Sequence, residues 1–229
     1  MKHIFLVVVL ILFSSVFVRA QIQNDSISYN AAYLEDQLYL ALTYNALTEK
    51  PNDVSQNGFS GGVAVGFIKD IPLNTRRSFG VALGLGYQYN AYIQNLKISK
   101  ALNNNVFSIA KDYESNWLRL HAIDIPFELR WRTSTATKYK FWRIYTGIKA
   151  SYIFASKSKF TDVNETLYVK NIDEINKLQL GVTLSAGFST WNLYVYYGLN
   201  PIFENAFIND TTSPVNFRDF SVGLKFYIM

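Results

Sequence analysis

The stretch "IDIPFELRWRTSTATKYKFWRIYTGIK", residues 123–149, concentrates groups able to do chemistry. Asp124 and Glu128 are carboxylates at an even spacing, Arg130 follows two residues on, and Arg143 and Lys149 return the opposite charge in the second half. Such a set could serve as a general acid–base carboxylate pair, as in a membrane protease or acyltransferase, or line a gated ion path. It could equally be a mutually neutralised network that fills a narrow space and fixes strand register. The choice depends on where the surrounding elements aim these side chains. Elsewhere the signals are thin. His121 is the only histidine beyond residue 3 and the chain has 0 Cys, so neither a metal site nor a nucleophile dyad forms around it, and it reads as a surface or loop-edge residue. "GFSGG" and "GLG" lack the strand-to-helix context of a phosphate loop, while "DYE" and "IDE" read as solvated loop charge. No catalytic residue, metal ligand, cofactor or small-molecule substrate is assigned.

The element that positions the charges is a strand. In "SFGVALGLGYQY" the residues Phe79, Val81, Leu83, Leu85, Tyr87 and Tyr89 alternate with Gly80, Ala82, Gly84, Gly86 and Gln88, which places the two sets on opposite faces of a pleated backbone. The pattern recurs in "QLYLALTYN", "GFSGGVAVGF", "KLQLGVTLSAGF", "NLYVYYGLN" and "DFSVGLKFYI". With "IDIPFELRW" and "WRIYTGIKASYIF" it predicts eight strands, near 36–46, 58–69, 78–90, 117–132, 141–154, 177–188, 192–200 and 217–228. A soluble sandwich or lipocalin-like barrel would set long polar side chains opposite the bulky row. Here the opposite row is mostly Gly, Ala, Ser and Thr, which suits the inside of a narrow closed barrel whose bulky face meets lipid. The predicted fold class is therefore all-β: an eight-stranded, antiparallel, up-and-down transmembrane barrel.

Links between these strands alternate long and short: long at 47–57, 91–116, 155–176 and 201–216, short at 70–77, 133–140 and 189–191. Outer-membrane barrels pair short periplasmic turns with longer outer loops, so both termini are expected in the periplasm. Trp131, Trp142 and Trp191 flank the short links, where a periplasmic aromatic girdle belongs. In the charged hairpin, outward Ile123, Ile125, Phe127, Leu129 and Trp131 leave Asp124, Pro126, Glu128 and Arg130 inside, together with Arg143, Tyr145, Gly147 and Lys149. Turning a cation outward at midplane would cost about 2–4 kcal/mol. An eight-stranded barrel has room inside for side chains and little more, so the buried network is the reading favoured over a catalytic pair or ion path.

The N-terminus carries Lys2 and His3, the apolar run "IFLVVVLILF", and "VRA" ending at Ala20, the pattern of a Sec signal peptide over 1–20, with the barrel domain over 21–229. The run is short for a spanning helix, which needs about 20 residues, and no later stretch is long and apolar enough. Without a cysteine there is neither a lipoprotein anchor nor a disulfide. The aromatic share, 16%, is high for a soluble domain and fits rings along two membrane interfaces. The net charge of +5 is scattered along the chain, which argues against a nucleic-acid partner.

The central hairpin, with "LEDQLYLALTYNAL", "GFSGGVAVGFIKDIPLN" and "LSAGFSTWNLYVYYGLNPIFE", resembles the PorT family of outer-membrane barrels from Bacteroidetes. "RWRTSTATKYKFWRIY" and "SAGFSTWN" are similar to the branch tied to type IX secretion and gliding motility, and the resemblance covers nearly the whole mature chain. It implies a non-enzymatic outer-membrane component or assembly factor for exporting sorting-domain proteins, with other secretion subunits as partners. Basic residues in the short links, Arg76, Arg77, Lys138 and Lys140, are the candidate periplasmic contacts to an acidic partner. The alternative is a structural or adhesive barrel working through its long loops, without a secretion role.

Overall fold

The computed structural model describes residues 36–51, 53–101, 104–133, 141–208 and 213–228. The expected signal peptide and the two lysines Lys138 and Lys140 lie outside the described residues. Eleven strands run in chain order: β1 (Asp36–Thr48), β2 (Gly61–Pro72), β3 (Phe79–Ile93), β4 (Leu96–Ala101), β5 (Asn104–Ile109), β6 (Ser115–Arg132), β7 (Trp142–Thr161), β8 (Thr166–Lys170), β9 (Leu178–Phe188), β10 (Trp191–Gly198) and β11 (Arg218–Ile228). Eight of them form the barrel. β1, β2, β3, β6, β7, β9, β10 and β11 each pair antiparallel with the barrel strand before and after, and β1 with β11 completes the ring. All edges are thereby paired, as a membrane requires.

Pleat alternation decides the faces. Leu38, Leu83, Leu85, Ile125, Leu129 and Leu193 are about half exposed on the outside, while Gln37, Tyr39, Ala82, Asp124, Glu128 and Asn192 are buried inside. The inner row was expected to be mostly small, and the structure adds the reason for its glycines. Among the described residues six tyrosines, Tyr39, Tyr92, Tyr145, Tyr194, Tyr196 and Tyr227, are also buried on the inner side, and several lie across the gaps that small residues leave. A Cβ on Gly86 would fall 2.0 Å from the Tyr39 hydroxyl, and one on Gly181 would fall 2.2 Å from the Tyr196 ring. Pro126 lies inside too, where the β3–β6 ladder is interrupted between Leu83↔Phe127 and Gly86↔Asp124, because proline has no N–H to donate.

Three strands were not expected: the hairpin β4–β5 in the link after β3, and β8 in the link after β7. β7 also runs seven residues beyond the expected end at 154, carried past a β-bulge. Ala122 pairs with Ile153 but His121 pairs with Ala155, so Phe154 is an extra residue on β7. A bulge reverses the alternation. Beyond it Ser156, Ser158 and Phe160 turn inward and are buried. The period that marks the strand in the sequence stops at this point although the strand does not.

At the long-link end a second core closes the mouth. Val54, Leu96, Ile98, Phe107, Val169, Ile172, Ile175, Phe203, Ile208 and Val215, drawn from all four long links, join Leu118, Leu120 and Ile153 from the strands in one buried apolar cluster. T-shaped ring contacts, Phe107 to Phe203 at 5.5 Å and Phe203 to Phe217 at 5.3 Å, tie the links together.

Candidate functional site: the charged interior of the barrel

The even spacing of the hairpin charges, read on two antiparallel strands, brings most of them together. Lys149 on β7 meets Asp124 on β6 at 3.3 Å and donates to Gln88 Oε1 at 2.7 Å, with the Tyr196 ring 4.2 Å from its ammonium. Glu128 accepts from Arg130 at 2.8 Å through Nη2, from Lys225 at 2.7 Å, and from the Tyr227 hydroxyl at 3.1 Å. Every lone-pair direction of that carboxylate faces a donor, which is what keeps a buried charge tolerable. Arg130 also donates to Gln37 at 3.0 Å and lies 3.8 Å from Asp70, whose other oxygen pairs with Arg132. The result is a ladder of alternating charges along the barrel interior.

Arg143, expected to join the other charges, does not. It is buried, yet none of its three guanidinium nitrogens has a hydrogen-bond partner among the described residues. Its neighbours are rings: Phe141 at 4.6 Å, Tyr227 at 5.8 Å and Tyr145 at 5.9 Å. Among the described residues, five buried cations (Arg130, Arg132, Arg143, Lys149, Lys225) face four buried carboxylates (Asp70, Asp124, Glu128, Asp219), and of these cations Arg143 alone makes no ion pair.

Sequence reasoning missed Asp70, Arg132 and Lys225 as members of this ladder, and with them Gln37 and Gln88, which accept from Arg130 and Lys149. The signal was present: Asp70 shares the inward parity of Ile68, and Lys225 sits in the small-residue row of β11 between Gly223 and Tyr227. What is absent from a linear reading is the closure pairing of β1 with β11, which brings Lys225 within reach of β6.

Around the charge ladder the barrel interior leaves no space for a substrate. Among the described residues, two interior voids, near Asp219 and near Asp124, have volumes of about 30 and 20 Å³, room for a water molecule each. Among the described residues no group of His, Asp or Glu is placed to hold a metal ion. His121 lies on the outer face, its Nδ1 2.7 Å from the Tyr87 hydroxyl and its ring beside Tyr89 and Phe154. Of the loop charges read as solvated, Glu174 is instead engaged, accepting from Asn105 at 2.6 Å. Trp131, Trp142 and Trp191 are all outward and sit at the short-link end, where Trp142 packs on Phe188 at 5.4 Å and Trp191 on Phe226 at 4.8 Å. Arg76 is exposed in the β2–β3 turn, and the Arg77 carbonyl accepts from Arg132 Nε at 2.6 Å.

A family model described as the outer membrane protein beta-barrel domain matches residues 20–204. Among solved structures the chain is similar to Ail, the attachment invasion locus protein of Yersinia pestis, at 10% identity and a TM-score of 0.35, over 85% of this chain and 98% of that one. No curated protein matches the sequence.

Proposed function

This chain belongs to the outer membrane protein beta-barrel domain family, and from that premise we propose that it is a non-conducting, non-enzymatic accessory or assembly factor of the type IX protein secretion system. Membership places it in the outer membrane with its apolar wall against lipid. The observation that carries the rest of the reading is the filled interior: a ladder of paired charges and tyrosines below, and an apolar cap made by four links above. Such a barrel passes no cargo through itself, so it acts through its rim or its wall. The secretion role rests on the resemblance to the PorT branch carried by "RWRTSTATKYKFWRIY" and "SAGFSTWN". In this reading the termini and short links are periplasmic, the three tryptophans form the periplasmic girdle, and the ion ladder fixes strand register.

A strain lacking the protein tests it. Cargo bearing type IX sorting domains accumulates in the periplasm if the proposal holds, and is exported normally if it does not. Alanine at Arg76, Arg77, Lys138 and Lys140 reduces export if these residues contact an acidic partner subunit. The second reading, a barrel working through its outer loops without a secretion role, is favoured by one observation: the four long links share a core of their own and form a built surface. Normal export with loss of surface attachment in the same deletion strain would favour it.

A further inference from the structure

Above the bulge, three strands carry a basic face. The extra residue Phe154 turns Lys157 and Lys159 outward, beside the outward Trp117 and Arg119 of β6 and Tyr168 and Lys170 of β8. Register stacks these residues in two rows. Arg119 pairs across to Lys157 and Lys157 to Lys170; one row further from the barrel, Trp117 pairs to Lys159 and Lys159 to Tyr168. Adjacent strands are about 4.8 Å apart, and like charges directly opposite one another repel. Three cations side by side are thus an unfavourable arrangement that folding alone does not call for.

Among the described residues no carboxylate lies within ion-pair distance of the row. Among the described residues Lys97 pairs with Glu165 at 2.7 Å and Arg218 with Glu49 at 3.1 Å, whereas Arg119, Lys157, Lys159 and Lys170, like the exposed Lys50, Lys100, Lys111 and Lys177 of the links, make no ion pair; what sets Arg119, Lys157 and Lys170 apart is that they stand directly opposite one another. Two of these rest on rings instead: Arg119 lies 3.8 Å from the Trp117 ring, and Lys157 lies 4.9 Å from that of Tyr168. These contacts set the charged heads of Arg119 and Lys157 against ring faces on the outer side, which attract the charge without neutralising it.

Height identifies the missing charge. From Trp131 to His121, β6 climbs ten residues, which at about 3.3 Å each and a tilt of about 40° spans roughly 25 Å, the height of an apolar band. Arg119 is the next outward residue. A groove of about 270 Å³ lined by Phe154, Ala155, Asn171, Asp173 and Lys177, with one charge of each sign, opens between the bulge and the chain that follows Lys170, beside the lipid-facing wall. We infer that the Arg119–Lys157–Lys170 row is a binding site for the phosphate groups of a phosphorylated glycolipid in the outer leaflet, and that the Phe154 bulge exists to aim it. The inference rests on the orientation proposed above, with the long links facing outward.

The test uses the full chain folded in detergent, titrated by native mass spectrometry with a bis-phosphorylated glycolipid of the lipid A type, with its dephosphorylated form, and with inorganic phosphate alone. The phosphorylated lipid binds preferentially, added salt weakens it, and each Gln substitution among Arg119, Lys157 and Lys170 lowers affinity about fivefold, while Arg119→Lys retains it. Equal binding of both lipids, an undiminished preference in the triple Gln variant, or equal affinity for inorganic phosphate overturns the site. Val163→Cys, at a position 89% exposed in the β7–β8 turn of a chain with 0 Cys, tests the orientation separately. It reacts with an impermeant maleimide on intact cells if the row faces the outer leaflet, and fails to react if the barrel is inverted, which would overturn the orientation even where the lipid binds in detergent.

Discussion

Single residues in the interior differ sharply in what their removal should do, because burial of charge is unfavourable unless the partner is in place. Lys149→Leu leaves Asp124 buried with no cation at contact, and Glu128→Leu leaves Arg130 and Lys225 facing one another without the carboxylate between them. Each should destabilise the barrel by about 3–5 kcal/mol. Arg143 inverts the expectation. Among the described residues its guanidinium finds rings and no hydrogen-bond partner, an attraction worth about 0.5–2 kcal/mol against the desolvation of a full charge. Arg143→Met, of similar length and apolar, should therefore leave stability within about 1 kcal/mol of the parent or raise it. Urea titration of the detergent-folded barrel, followed by heat-modifiable mobility on gels, orders the three variants. Arg143→Met losing as much as Lys149→Leu would mean that the guanidinium has a counter-charge outside the described residues.

At the scale of the element, the bulge at Phe154 controls what the upper part of β7 presents. Deleting Phe154 restores an unbroken alternation, which turns Lys157 and Lys159 toward the buried cluster and Ser156, Ser158 and Phe160 outward. The chain then either buries two lysines or releases the β7–β8 hairpin from the cap, and release is the smaller loss. Limited proteolysis should cut the deletion variant between β7 and β9 at protease levels the parent resists, with the barrel strands remaining protected. The bulge also marks where the sequence stops being legible. Strand positions and inward parity of the hairpin charges follow from period-two alternation, since that pattern is all a two-sided wall requires. Beyond Ile153 the period slips by one, so the extension of β7 and its pairing with β8 leave no regular trace. Arg143 is a different kind of gap: its inward direction was legible, but whether a carboxylate lies across the interior depends on closure, on which strand neighbours which, and on the arrangement of the tyrosines. Gly147 makes the related point for packing. A Cβ there would fall 1.9 Å from the Phe127 carbonyl, so Gly147→Val must push β6 and β7 apart and should cost about 1–3 kcal/mol.

For the whole molecule, occlusion follows from two independent cores stacked along one axis. The lower holds Tyr39, Ala41, Ala64, Ile68, Ala82, Tyr145 and Tyr227 around the ion ladder; the upper is the apolar cap of the four links. An ion crossing the barrel would have to displace paired side chains and then traverse a dry cluster. Planar-bilayer recordings should accordingly show no stepwise conductance from the intact protein. Opening the cap alone should not change this. Phe203→Ala removes a ring that contacts both Phe107 and Phe217 and should weaken the cap by about 3–5 kcal/mol, because a buried aromatic is lost and the rigid strands beneath cannot collapse into the space. Proteolysis of the long links should then increase while the barrel stays heat-modifiable and electrically silent, since the ladder around Glu128 still fills the lower half. Conductance steps appearing in Phe203→Ala would place the seal in the cap, and would make the ion ladder a lined path in place of a plug.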